Sequence, residues 1–265
     1  MDLPEALRAV LDRLVDVARG DPRIVGVTVG GSGATATTDA WSDLDTVIVC
    51  RDAAAAAAVQ ADCRAIAARL GPLVSAFTGE HVGEPRLLIA LYAPPPLHVD
   101  LKVVAVEDLA TRVEDGAIAW ERDGAVSAAY AEAPAAWPAV DPQWIEDRYW
   151  TWVHYVATKI GRGELLEAVD ALAMLRQLAL GPLVALRDGR PAAGVRRLEQ
   201  LAPADAQALA ATIGDHTPQG ALAALRAAVE AYRRLREHVT VERRAAAEEA
   251  AVAFLDTLPR DAQAR

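Results

Sequence analysis

The chain has almost no cysteine: Cys50 and Cys63 are the only two in 265 residues. Their spacing matches no zinc motif, and a secreted disulfide scaffold would need more thiols. A basic stretch leading into an apolar segment is also missing from the N-terminus, Met-Asp-Leu-Pro-Glu, so a secretory leader is not expected. No uninterrupted apolar run has the length that a bilayer crossing requires, so no membrane partner is expected. Positive charge is in deficit, with 27 Lys and Arg against 37 Asp and Glu and a formal charge of −10. The densest basic cluster, Tyr232 to His238, contains Glu237 and is followed by Glu242, Glu248 and Glu249. A protein that tracks a nucleic-acid backbone concentrates cations on one face, which disfavours nucleic acid as a substrate. What remains is a cytoplasmic globular protein, 53% hydrophobic and 24% charged, long enough for one or two domains. Its acidic balance favours a cationic small molecule over an anionic polymer.

The periodicity divides the chain in two. Leu3, Leu7, Val10, Leu11, Leu14 and Val15 recur at helical spacing across residues 3–18, and Gly20-Asp21-Pro22 ends that helix. The β-branched run at 24–29 predicts a strand, Gly30 to Gly33 a turn, and 43–50 a second strand. That second strand alternates at its start and is apolar at its end, which predicts one open end and one buried end. An alanine-rich helix is expected over 53–70, and strands over 73–77, 87–92 and 97–104, with Pro94 to Pro96 as a rigid extended link. After Val106 strand-like runs vanish, and residues 107–140 read as short helices and loops. Helices follow at about 142–160, 163–187, 203–213, 218–238 and 240–257, punctuated by glycine and proline. The expected fold is α+β, with a mixed-sheet domain at 1–135 and an all-helical bundle domain at 136–265.

The chemistry concentrates in Gly30-Gly31-Ser32-Gly33 and in Asp43-Leu44-Asp45. Asp43 and Asp45 are two apart on a predicted strand, so both carboxylates project from one face, about 6–7 Å apart along the backbone. Like charges that close raise each other's proton affinity, and a divalent cation relieves the conflict. Magnesium takes oxygen ligands and commonly uses one or two carboxylates plus substrate phosphates. The glycines permit a tight turn with accessible N–H groups, and the Ser32 hydroxyl can donate to phosphate oxygens. Asp100, flanked on its own strand face by His98 and Lys102, is the natural third carboxylate. Two ions about 3.5–4 Å apart would suit in-line displacement at a phosphate. Asp100 would then serve as third ligand or general base, and Lys102 would balance charge or meet phosphate.

At these residues the chain resembles the polymerase-beta-like nucleotidyltransferase superfamily. The likeness lies in Gly31-Ser32, ten intervening residues, Asp43-Leu44-Asp45, and Asp100 on a later strand. Within that superfamily it is most similar to bacterial enzymes that adenylylate aminoglycoside or lincosamide antibiotics. The resemblance implies a small α/β catalytic domain followed by a helical domain that closes over nucleotide and acceptor. It implies phosphate contacts from Gly31 and Ser32, magnesium held by Asp43 and Asp45, and catalysis by Asp100. The expected reaction is transfer of AMP from ATP to a hydroxyl of a small, amine-bearing, aminoglycoside-like acceptor, with pyrophosphate released. Protein modification of toxin–antitoxin type, and a degenerate nucleotide-binding protein, stay open as alternatives. So does the choice between monomer and homodimer.

The helix beginning near Trp144 carries an apolar stripe of Ile145, Tyr149, Val153, Val156 and Ile160. Arg148, Trp152, Tyr155 and Lys159 fall on an adjacent face: either a nucleotide contact, whose aromatics such as Tyr155 stack a base or sugar while Lys159 meets phosphate, or an ordinary amphipathic helix with tryptophan in a domain interface. Glu146, Asp147, Glu164 and Glu167 are candidate attractors for an acceptor amine, and His98 for orienting the acceptor. Zinc is not expected, because no His or Cys pair accompanies His98.

Overall fold

A computed structural model describes residues 3–35, 38–39 and 41–258. The chain forms two compact units, Met1–Trp137 and Pro138–Arg265. In the first, the elements run α1 (Glu5–Gly20), β1 (Ile24–Val29), α2 (Gly31–Thr35), β2 (Leu44–Cys50), α3 (Ala53–Arg69), β3 (Leu73–Gly79), β4 (Glu84–Tyr92), β5 (Leu97–Ala105), β6 (Ala117–Glu121) and α4 (Ala125–Glu132). The strands form one mixed sheet in the order β3-β4-β5-β2-β1-β6. β2 and β5 run parallel, and the other neighbours pair antiparallel.

The amphipathic pattern decides which face of the sheet is covered. Leu7, Val10, Leu11 and Leu14 of α1 and Val59, Cys63 and Ile66 of α3 share one core with Leu44, Ile48, Leu88, Ala90, Val99, Leu101 and Val103 of the strands. Asp52 caps α3 by accepting from the Ala55 N–H at 2.7 Å. On the opposite face the alternate side chains project, and within this unit one end is closed among the described residues. There Val49 and Val104 pack with Leu109 and with Val126 of α4. At the other end Asp45 and Asp100 are half-buried. The open and buried ends read from β2 are thus both present.

The second unit is helical: α5 (Pro142–Arg162), α6 (Leu165–Leu175), one π-helical turn at Arg176–Leu180, α7 (Gly181–Arg187), α8 (Leu198–Leu201), α9 (Pro203–Ala210), α10 (Pro218–Arg236) and α11 (Ala245–Thr257). Asp141 caps α5 by accepting from the Gln143 and Trp144 N–H groups, and Gly163 ends it at φ +74°. The stripe Ile145, Tyr149, Val153, Val156 and Ile160 is buried against Leu225, Val229 and Tyr232 of α10. The Tyr149 and Tyr232 rings stack at 3.7 Å.

A mixed sheet followed by a helical bundle is the architecture that the superfamily resemblance implies. Several expectations change in detail. Residues 117–121 form a strand where only loops and short helices were expected, because β6 is short and none of its residues is fully buried. The three prolines do not extend the chain: residues 93–96 make the turn between β4 and β5, which close on the pair Tyr92 and Leu97. Gly31–Thr35 is one short helix, and α11 begins at Ala245. The helical run Leu165–Arg187 is apolar and long enough to cross a membrane by length and composition. Half of it is buried, with Leu172, Leu175, Leu180 and Leu183 in the bundle core, which accounts for that apolarity.

Candidate active site

The site is built on the open end of the β2–β5 ladder. Asp45 and Asp100 are direct partners in the parallel register, so two carboxylates 55 positions apart in sequence lie side by side on one sheet face. Neighbouring strands are about 4.8 Å apart, within the reach of a shared ligand. Thr46 ties the strands by donating from Oγ1 to the Asp100 carbonyl at 2.7 Å. Asp43 precedes β2 by one residue, and its charge acts on Asp100. Burial pushes the Asp100 carboxyl upward, the charge of Asp43 adds to this, and His98 opposes both. His98 Nε2 lies 2.9 Å from Asp100 Oδ1.

Gly31 has φ +55°, a left-handed conformation that glycine adopts without strain. Its missing side chain also has a neighbour in place: a Cβ there would lie 2.3 Å from Asp45 Oδ2. The Gly30 N–H donates to the Asp45 carbonyl at 2.9 Å, so the glycine turn is clamped to the strand that carries the acid. Ser32 falls within α2, and its side chain lies outside the described residues. A fourth carboxylate escaped the sequence reading. Glu114 Oε1 would be 3.8 Å from a Cβ on Gly30, which itself would sit 3.7 Å from Asp45 Cβ. Glu114 follows β5 on an irregular segment, with no periodicity to mark it.

Among the described residues, no three His, Cys, Asp or Glu side chains are drawn together as a finished metal cage. Asp45 and Asp100 nevertheless match a hard cation in donor type. These two supply only oxygen from one sheet face, and burial raises the Asp100 carboxyl. Lys102 lies on the same face but is engaged, with Nζ 2.8 Å from Glu84 Oε2. Arg86 and Lys102 together hold the Glu84 carboxyl down to about 2.

In the helical unit the candidate residues have other partners. Glu146 is 0% exposed and therefore unavailable to an acceptor, which corrects the expectation of an acceptor contact. It accepts from Tyr232, from Trp150 Nε1 at 3.2 Å, from Arg236 at 3.2 Å and from the Arg244 N–H at 2.8 Å. Burial alone would raise its carboxyl, but these donors reverse the direction and lower it. Asp147 is bound by Arg244 at 2.7 Å and Gln143 at 2.8 Å. Lys159 is held by Glu164 at 2.6 Å and Glu167 at 3.6 Å, and the Tyr155 hydroxyl donates to Glu167. Glu164 and Glu167 therefore serve as partners of Lys159 and Tyr155 on an exposed face.

Among solved structures, the chain is similar to an aminoglycoside 6-adenyltransferase from Bacillus subtilis. The identity is 14% and the TM-score 0.41, over 96% of this chain and 98% of that one. It is also similar to a nucleotidyltransferase-like protein from Exiguobacterium sibiricum 255-15, at 12% identity and a TM-score of 0.37, over 93% of this chain and 78% of that one. No family model and no curated protein matches the chain. Function lives in the site and not in the fold, so the chemistry rests on the residues themselves.

Proposed function

We propose that the chain is a magnesium-dependent nucleotidyltransferase that transfers AMP from ATP to a hydroxyl of a small acceptor and releases pyrophosphate. The observation that carries this is the direct pairing of Asp45 with Asp100 beside the glycine turn. Asp43 and Asp45 would hold magnesium, with Asp100 as third ligand or, in the step below, as general base, and the ion would neutralise triphosphate charge. Asp100 accepts the acceptor's hydroxyl proton on Oδ2, while Oδ1 keeps its hydrogen bond to His98. The acceptor oxygen bonds to the α-phosphorus of ATP, and the bond from that phosphorus to its bridging oxygen breaks. Pyrophosphate departs with the electron pair. The site works in the cytoplasm, where ATP is abundant, and the protein acts as a monomer or homodimer. Aminoglycosides are the first acceptor class to test, followed by lincosamides.

The test is label transfer. Purified protein, magnesium and each α-labelled nucleoside triphosphate are incubated with aminoglycosides, lincosamides, RNA and candidate proteins. Magnesium-dependent labelling of a small acceptor is expected, and Asp45→Asn should abolish it while leaving the circular dichroism spectrum unchanged. Full activity in Asp45→Asn would overturn the assignment. Labelling of protein alone would move the chain to the toxin–antitoxin class.

A further inference from the structure

The face that carries the acids continues, one strand further out, into an apolar surface that the sheet itself does not need. Ile89 of β4 is the direct partner of Asp100, and Phe77 of β3 is the direct partner of Ile89. Directly paired residues project from the same face of a sheet. One row across the sheet therefore reads Phe77, Ile89, Asp100, Asp45. The row beside it reads Ser75, Leu91, His98. Phe77 is 52% exposed and Leu91 43% exposed, while Ile89 between them is half-buried. The His81 ring lies 5.6 Å from the Phe77 ring and lengthens the strip.

This apolarity has no structural purpose on that face. Leu88, Ala90 and Tyr92 already fill the buried side of β4, so its other side is free to be polar. Edge strands such as β3 commonly carry charge to block unwanted pairing. Here positions 75, 77, 89 and 91 carry none. Two strand spacings separate Phe77 from Asp100, roughly 10 Å, the span of a small ring compound. Three side chains offer far less than the roughly 800 Å² per partner that a stable protein interface buries. The strip is thus sized for a small molecule whose reacting end lies over the acids.

We propose that the Phe77–Ile89–Leu91 strip seats the acceptor, and that the acceptor is a small hydroxyl compound with an apolar ring or alkyl face. The inference rests on the nucleotidyltransferase reading for its reacting end, but the seat is a property of β3 and β4 alone. A polycation without an apolar face would set its ammonium groups over positions 75, 77, 89 and 91, none of which is charged, and could meet carboxylates only further along the row at Asp100 and Asp45. Such a compound gains nothing from the apolar strip itself.

Binding can be read without turnover. The probe is 2-amino-1-phenylethanol, with 2-aminoethanol as the ring-free control, titrated into the full isotope-labelled chain while backbone amide shifts are followed. The phenyl probe is expected to move the amides of residues 75–79 and 87–91, and the control to leave them in place. Phe77→Ser with Leu91→Ser should weaken the phenyl probe roughly tenfold, the scale of losing one to two kcal/mol of apolar contact. Both side chains are exposed, so the double variant should keep its melting temperature, which is measured alongside. Equal shifts with both probes, or unchanged affinity in the double variant, would overturn the seat. Adenosine moving the same amides in place of the phenyl probe would assign the strip to the donor base and overturn it too. A dimer that the double variant converts to monomer in sedimentation would give the strip to a second copy, with the same result. If the seat binds as expected while no acceptor is ever labelled, the transferase reading fails and the seat stands.

Discussion

Two residues at the site are held in states that a free chain would not choose, and each yields a prediction. Asp100 is an acid whose folded value is raised by burial and by Asp43. Such a group binds its proton more tightly folded than unfolded, so its ionised form weakens the fold above the folded value. That penalty vanishes below the unfolded value, near about 3.9. Asp100→Asn should therefore melt higher than the parent at neutral pH, with the difference shrinking as the pH falls toward about 4. The same variant should lose on the order of 10²- to 10⁴-fold in transfer rate, the usual contribution of a positioned base. Equal melting temperatures at every pH would contradict the raised carboxyl. Gly31 is the second case. Gly31→Ala places a methyl 2.3 Å from Asp45 Oδ2 in a left-handed conformation. Displacement of the Asp45 carboxylate and a loss of about 1–2 kcal/mol are expected. Chemical denaturation gives the stability, and an unaltered transfer rate would show that Asp45 needs no such clearance.

The elements differ in how openly their sequences announce them. β2 is the clearest: alternation at Asp43-Leu44-Asp45 and an apolar finish at Val47 to Cys50 correspond to an open end and an end closed by α4. The buried stripe of α5 follows directly from its spacing. β6 was not legible, because five residues without a fully buried side chain leave little signal against a loop background. Pairing across the sheet was invisible too, since alternation gives faces but not neighbours. That is why Asp100 was readable as an acid on the right kind of strand while its row partners, Ile89 and Phe77, were not. Glu146 shows the opposite failure. Its helix position marks it as polar, but its partners Tyr232 and Arg236 lie 86 and 90 positions away and only the fold reveals them. Removing one partner from a buried ion pair typically costs 3–5 kcal/mol. Glu146→Gln should accordingly destabilise the helical unit by roughly that amount. At a temperature where it remains folded, its KM for acceptor should be unchanged. A raised KM with unaltered stability would return Glu146 to the acceptor.

At the scale of the whole molecule, the two units hold separate cores: one beneath the sheet, built from α1, α3 and the strands, and one inside the helical bundle. Each should therefore unfold cooperatively when produced alone. Residues 1–137 and 138–265, expressed separately, are expected to give sigmoidal thermal transitions with sheet-rich and helical spectra respectively. A broad, featureless melt from either piece would show that its core depends on the other. Within the first unit, the parallel β2–β5 ladder has a further consequence. Its strands are joined through α3, β3 and β4, so this pairing belongs to the long-range contacts that a folding chain completes late. A slip of one residue would set Val99 or Leu101 against Asp45 and drive a carboxylate into the hydrocarbon interior. The acid at position 100 therefore proofreads the assembly of the sheet that displays it, and a misaligned chain carries its own penalty before any ligand is met.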